Sequence, residues 1–241
     1  MSGNRLYICH RTAGSIAIDG RLDEADWRAA DAMTLVLTDT GSTPKLRTDV
    51  RALWDDTYLY VGFHSVDTDI WATMTGHDQP LWDEEVVEVF LDPGRIETAY
   101  FELVVNPLNV LTDVFVLNRG ARKLLFQPMR EWECVGVRHA VSVHGDPASR
   151  TSRDHWWTVE FAIPFDQLVT APHIPPSSGD VWKANFYRIE RGRDATEYTA
   201  WSPTGEINYH HPECFGALVF AGEPVRASGG RRGKAPTQQR Q

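Results

Sequence analysis

With 241 residues, 42% of them hydrophobic and 11% aromatic, the chain can bury one large β domain or two small ones, and a single domain is expected. A net charge of -9, with no Lys/Arg cluster before the C-terminal tail, excludes a nucleic-acid surface, because neutralising phosphates requires clustered cations. Cys9, Cys134 and Cys214 lack CxxC spacing, which excludes a disulfide framework or a zinc knuckle, and no apolar run is long enough to span a bilayer.

Strand patterning dominates. In chain order, period-two or short apolar runs bounded by turn residues predict strands at 15–18, 34–37, 48–54, 58–65, 85–91, 100–106, 111–116, 131–137, 156–163, 182–190, 198–202 and 217–220. Asp55 and Asp56 lie between the second pair of long runs and favour a hairpin turn there. Two short helices interrupt the pattern. Asp23 is expected to cap a helix over 24–30 that docks Trp27 on the sheets, and a one-turn connector is expected after Pro164. The Pro/Ser-rich run 171–180 reads as a surface loop. Many short strands joined by turns predict an all-β fold, a single immunoglobulin-like antiparallel β-sandwich over residues 1–224. Residues 225–241 lose aromatics and gain Arg, Gly and Gln, and are expected to form a disordered basic tail.

The most informative segment runs from Trp82 to Asp92. Strand alternation puts Val87, Val89 and Leu91 on one face and Val86, Glu88 and Phe90 on the other. Glu88 then projects near the aromatic Trp82. This combination suits a polyhydroxylated ligand, because the indole stacks on a sugar's C–H face while the carboxylate binds its hydroxyls. The same arithmetic places Glu102 with Val104 and Asn106, and leaves Glu160 opposite Trp157, Val159 and Phe161. Arg188 lies beside Glu190, and Asn185 beside Tyr187. Glu102, Glu160 and Arg188 fit a structural ion-pair network as well as they fit ligand contact. A second aromatic pair, Tyr198 and Trp201, ends a strand near the C-terminus. Adjacent His210 and His211 point oppositely on an extended chain and are poor ligands for one metal ion.

Three segments carry a family resemblance: Ile18-Asp19-Gly20-Arg21-Leu22-Asp23-Glu24-Ala25-Asp26-Trp27, then Leu53 to Val61, then Trp82 to Asp92. Trp157 to Pro164, Trp201-Ser202-Pro203 and His211 to Gly216 extend it over nearly the whole chain before the tail. In this order they resemble family 9 carbohydrate-binding modules. The resemblance implies a β-sandwich of the DOMON-like kind that grips a sugar between two tryptophans. Trp82 and Glu88 match the first tryptophan and the carboxylate, and Trp201 resembles the second tryptophan. Tyr198 departs from the pattern, standing where an amide is usual, and Asn106 or Asn185 is the expected substitute. The resemblance also implies structural calcium, for which Asp67 and Asp69 are the local candidates.

The leading expectation is therefore a non-catalytic carbohydrate-binding protein, with a mono- or oligosaccharide as partner and Trp82, Glu88, Glu102, Asn106, Asn185, Arg188, Tyr198 and Trp201 as its binding set. One alternative is a haem-binding DOMON-like protein using Met74 and His77, though the chain has no CxxCH and only 4 Met. The weaker alternative is a glycoside-active enzyme using Glu88 and Glu102 as an acid/base pair. No membrane or nucleic-acid partner is expected. The protein should be soluble, cytoplasmic if Met1 is the native start and otherwise extracellular or periplasmic.

Overall fold

The computed structural model describes residues 5–118, 126–151, 153–193 and 196–226. These residues begin with β1 (Leu6–Arg11), α1 (Ala25–Ala29), β2 (Met33–Thr34), β3 (Val36–Leu37), β4 (Thr48–Trp54) and β5 (Tyr58–Val66). A 3-10 turn, Leu81–Asp83, precedes β6 (Val86–Asp92), β7 (Ala99–Val105), β8 (Leu111–Asn118) and β9 (Phe126–Met129). The remainder comprises β10 (Arg138–His144), β11 (Trp156–Pro164), a 3-10 turn at Phe165–Gln167 where a connector after Pro164 is expected, β12 (Val181–Arg191), β13 (Thr196–Ala200), a 3-10 turn at Pro212–Cys214 and β14 (Gly216–Pro224). No described helix is long and apolar enough to cross a membrane.

One hydrogen-bonded path runs β10-β11-β5-β4-β1-β14-β12-β6-β7-β8-β9, with β13 added on β12 and β2 on β4. Neighbours are antiparallel except at β1, which pairs in parallel with both β4 and β14 and so stitches the two halves together. The path folds on itself into a sandwich. Val50, Val61, Phe63, Val159 and Phe161 of one half meet Val87, Val89, Leu103, Val105 and Phe186 of the other in one core. Phe63 and Phe186 meet across it edge to face, with ring centroids 6.3 Å apart.

Both outer faces are covered as well. Trp27 of α1, with Ile16 and Ala30, packs on Leu53, Tyr60 and Ala162. On the other half, Phe215, Tyr209 and Leu81 cover Val86, Phe90, Tyr100, Val104 and Tyr187. Strands buried on both sides read as nearly continuous apolar runs, and β6 and β7 are buried along their full lengths.

Several boundaries differ from the sequence reading. The cap of α1 is Glu24 rather than Asp23, and it makes no side-chain capping bond. Residues 15–18 pair with no strand; Ile16 instead fills the pocket around Trp27. Residues 131–137 form turns around Gly136, whose φ of +84° suits glycine, and the strands nearby are β9 and β10. The expected tail over 227–241 lies outside the described residues.

Glu160 ties α1's approach loop to the sheet. Its carboxylate accepts from Trp27 Nε1 at 2.8 Å, Gly20 N at 2.8 Å and Asp19 N at 3.0 Å. Replacing it with alanine leaves these donors without their partner, at a cost of about 1–3 kcal/mol per buried group. Glu160→Ala is expected to destabilise the protein by about 3 kcal/mol or more in urea unfolding. A loss below about 0.5 kcal/mol would contradict this role.

Candidate ligand-binding site

The outer face of the β6-β7-β12 half is not sealed everywhere. A cleft of about 330 Å³ opens over it, with Glu88, Phe90, Glu102, Val114 and Ile189 on its floor. Trp82, Tyr198, Arg130 and the segment Asn208 to His210 form its walls, together with Phe126 and Pro128 of β9.

Strand register brings the two carboxyls together. Phe90 pairs with Glu102 and Glu88 pairs with Val104, so the glutamates are diagonal neighbours on one face of β6 and β7. Such diagonal positions are separated by about 7–8 Å between α-carbons, within reach of glutamate side chains. Glu88 is 2% exposed and Glu102 6%. Burial raises the Glu88 pKa well above the ordinary carboxylate value, and the neighbouring Glu102 raises it further. Burial pushes Glu102 up to about 8, against the opposing pull of Arg130. Both carboxyls are therefore shifted toward the neutral form, in which a carboxyl both donates and accepts a hydrogen bond.

Trp82 is held at the rim by its own turn. Glu84, two residues on, accepts from Thr73 N at 2.7 Å and Met74 N at 3.1 Å, which clamps the turn to the preceding loop. The Trp82 carbonyl accepts from Arg191 at 3.2 Å, and the Arg130 guanidinium lies 5.0 Å from the indole centroid. Tyr198 stands against Tyr209 at 6.4 Å and beneath Arg191 at 5.5 Å.

Four of the sequence-derived candidates therefore share the cleft: Trp82, Glu88, Glu102 and Tyr198. The other four do not line it. Trp201 is 3% exposed and packs in the central core against Phe186. Its ring lies on Gly216, where a Cβ would approach to 2.4 Å, so the glycine makes room for the indole. Asn185 uses its amide internally, donating to Tyr187 Oη at 2.7 Å and Ser202 O at 2.8 Å and accepting from Ser202 N at 2.9 Å. Asn106 holds the turn before β8, donating to Met74 O at 2.9 Å and accepting from Val110 N at 3.0 Å. Arg188 is buried as a bolt between sheets, reaching Asp67 at 2.7 Å, Val66 O at 2.7 Å and Thr48 Oγ1 at 3.2 Å, and also pairing with Glu190.

The calcium candidates lie within arginine networks. Asp67 groups with Glu85 and Glu190 around Arg188, whereas Asp69 binds Arg150 at 2.7 Å and Arg193 at 3.2 Å. Burial and the neighbouring Glu190 and Asp67 push Glu85 up to about 11, which removes one negative charge from the Arg188 group. Asp67 and Asp69 direct carboxylates to different guanidinium groups, while Asp67 also groups with Glu85 and Glu190, and Asp69 Oδ1 makes no hydrogen bond. Met74 and His77 are also separated in role, Met74 packing on the outer-face cluster and His77 sitting among carboxylates.

Arg130, Asn208, Tyr209, His210 and Phe126 of the cleft escaped the sequence reading. They come from an edge strand and from irregular chain, where no periodicity marks which side chains converge. The only local signal was the polar and aromatic run Asn208-Tyr209-His210-His211.

The fold is a β-sandwich with an aromatic rim above paired carboxyls. The chain belongs to the carbohydrate family 9 binding domain-like family, whose model matches residues 18–223. Endo-1,4-beta-xylanase A of Thermotoga maritima is 32% identical over 98 residues, which are 40% of this chain and 9% of that protein. Exoglucanase XynX of Acetivibrio thermocellus is 32% identical over 89 residues, 37% of this chain and 8% of that protein. The matched segments therefore span under a tenth of either relative's length. Among solved structures, a family 9 carbohydrate-binding module of Caldicellulosiruptor kristjanssonii in complex with cellotriose aligns at a TM-score of 0.63 and 17% identity, covering 98% of this chain and all of that one. A family 9 module from the same organism in complex with glucose aligns at 0.61 and 17% identity, covering 92% of this chain and 100% of that one. These likenesses establish the shared fold.

The raised acid pKa values carry a definite pH signature. A carboxyl with a higher pKa folded than unfolded contributes stability in full below its ordinary value of 4.5, and that contribution is lost as pH rises through the folded value of about 8. The urea midpoint of the wild type is expected to fall between pH 5 and pH 9. Glu102→Gln, which cannot ionise, should lose measurably less over the same interval. Identical pH profiles for the two proteins would show that Glu102 is not buried as described.

Proposed function

We propose that this protein is a non-catalytic carbohydrate-binding module whose cleft takes a monosaccharide or the end of an oligosaccharide. The observation that carries this reading is the convergence of Trp82, Glu88 and Glu102 on one open cleft. The indole offers an apolar face to the C–H side of a pyranose ring. The protonated carboxyls match sugar hydroxyls, which themselves both give and take hydrogen bonds. Arg130 and Asn208 add donors at the rim.

The aromatic partner of Trp82 in this reading is Tyr198, because Trp201 is committed to the core. Glucose and cellotriose, the ligands of the related Caldicellulosiruptor modules, are the first sugars to try. A binding role also suits the acids better than hydrolysis does, since both known glycosidase geometries require one ionised carboxylate and both groups here favour the neutral form.

Titration calorimetry with glucose, cellobiose and cellotriose tests the proposal. Binding is expected for at least one of them, with Trp82→Ala and Glu88→Ala each weakening it at least about tenfold, a change of about 1.4 kcal/mol. Trp201→Phe should bind as the wild type does once it is shown to be folded. Absence of heat with every sugar, or unchanged affinity in Trp82→Ala, would sink the reading.

A further inference from the structure

A second cleft, of about 600 Å³, shares no described lining residue with the first. Register explains the separation. Glu102 pairs with Val114 on the outer face of β7 and β8, whereas Leu103 pairs with Asp113, whose side chain therefore points to the opposite face. At this second cleft His77, Asn109, Asp113, Glu133 and His139 come together from four separate segments.

Three carboxylates surround one imidazole nitrogen there. His77 Nε2 lies 3.1 Å from Glu133 Oε2, 3.4 Å from Asp113 Oδ1 and 3.5 Å from Asp78 Oδ2. Ligand atoms of His77, Asp78 and Glu133 all lie within 4.8 Å of one another. Bonds of about 2.0–2.1 Å in a tetrahedral zinc site separate neighbouring ligand atoms by about 3.3 Å, the spacing found around this nitrogen.

The buried member of the group adds an observation of its own. Asp113 is 1% exposed, and its Oδ2 accepts from Cys134 N at 2.5 Å. Its Oδ1 has no hydrogen-bond partner and lies against the His77 ring. A buried carboxylate oxygen left without a donor is costly, and a bound cation removes that cost. Asp78 presents the same feature, with an unpartnered buried Oδ1 beside the group.

We propose that His77, Asp78 and Glu133, with Asp113 behind the His77 ring, form a binding site for a first-row divalent metal ion, zinc in the first instance, distinct from the sugar cleft. One imidazole nitrogen with carboxylate oxygens favours such an ion over calcium, which takes six to eight oxygens. Asp113 is fixed from behind by the Cys134 amide, as a ligand carboxylate in a built site is expected to be. His77 and Glu133 lie toward solvent and leave a path for the ion to enter. The site joins the loop before Leu81, strand β8 and the turns after β9, so occupancy would add to the links already made by Thr112 Oγ1 to Gln79 O and Cys134 N to Asp113 Oδ2.

The test uses the chelator-treated full chain titrated with zinc chloride by calorimetry, alongside thermal melts with and without the metal. One zinc ion per chain is expected at this site, with Tm raised by about 5 °C or more at a hundredfold excess over Kd. Glu133→Gln, at an exposed position that tolerates exchange, should weaken binding at least about tenfold, and His77→Ala should abolish the rise in Tm. His211→Ala is the control at a second histidine–carboxylate group, in which Glu206 and Glu213 approach different ring nitrogens, and it should leave the stoichiometry unchanged. Absence of zinc binding, or wild-type affinity in both Glu133→Gln and His77→Ala, overturns the proposal. So does loss of the bound equivalent in His211→Ala alone, or calcium binding as tightly as zinc. Sugar affinity that persists in Glu133→Gln separates this result from that of the carbohydrate cleft.

Discussion

The structure depends on burying the β6-β7-β12 half of the sandwich on both faces. Its inner face joins the central core through Val87, Val89, Leu103 and Phe186. Its outer face carries a second apolar cluster beneath the segment from Tyr209 to Phe215 and the turn before β6. Any polar group on that outer face is consequently withdrawn from water. Glu88 and Glu102 occupy such positions, and their raised pKa values follow from the same covering that stabilises the strands. A cleft that stays partly open over two neutral carboxyls provides polar hydrogen-bonding capacity inside an apolar surround. That combination is the usual construction of a small-molecule site.

The charged network on the opposite face of β12 works differently. Arg188 reaches from β12 to Asp67, Val66 and Thr48 and connects the two halves of the sandwich through ion pairs rather than apolar contact. It lies next to Tyr187 in sequence, yet the two side chains serve opposite faces. Tyr187 points outward, stacks on Tyr209 at 4.0 Å and belongs to the covering of the cleft floor. Alternation along one strand thus separates a structural ion-pair group from the ligand surface.

Much of this was legible in the sequence. The alternation in Val86 to Leu91 correctly divided core from outer face, and the proximity of Trp82 to Glu88 followed from a short turn leading into a strand. Trp27 docked on the sheet as its amphipathic turn suggested. Trp201 could not be placed by the same means, because an aromatic at a strand end suits a core and a cleft equally. The feature that decides its position is Gly216, fifteen residues later, whose missing side chain accommodates the ring. Strands β1, β9 and β10 were missed: β9 is exposed throughout and contains Pro128, β10 is half-exposed with only Val141 and Val143 turned to the core, and β1 sets buried Tyr7 and Cys9 between exposed Leu6 and Ile8. The cleft walls built from those edges and from irregular loops were hidden with them.

The two clefts rest on a common arrangement, since β7 and β8 present Glu102 to one and Asp113 to the other through adjacent positions in the ladder. The central functional claim concerns the first cleft and is met most directly by a crystal structure of the protein with cellotriose. The account predicts a terminal sugar ring against Trp82, with hydroxyls hydrogen-bonded to Glu88 and Glu102 and with Trp201 still enclosed in the core. Sugar bound elsewhere on the sandwich, or bound in this cleft without touching either glutamate, would contradict it.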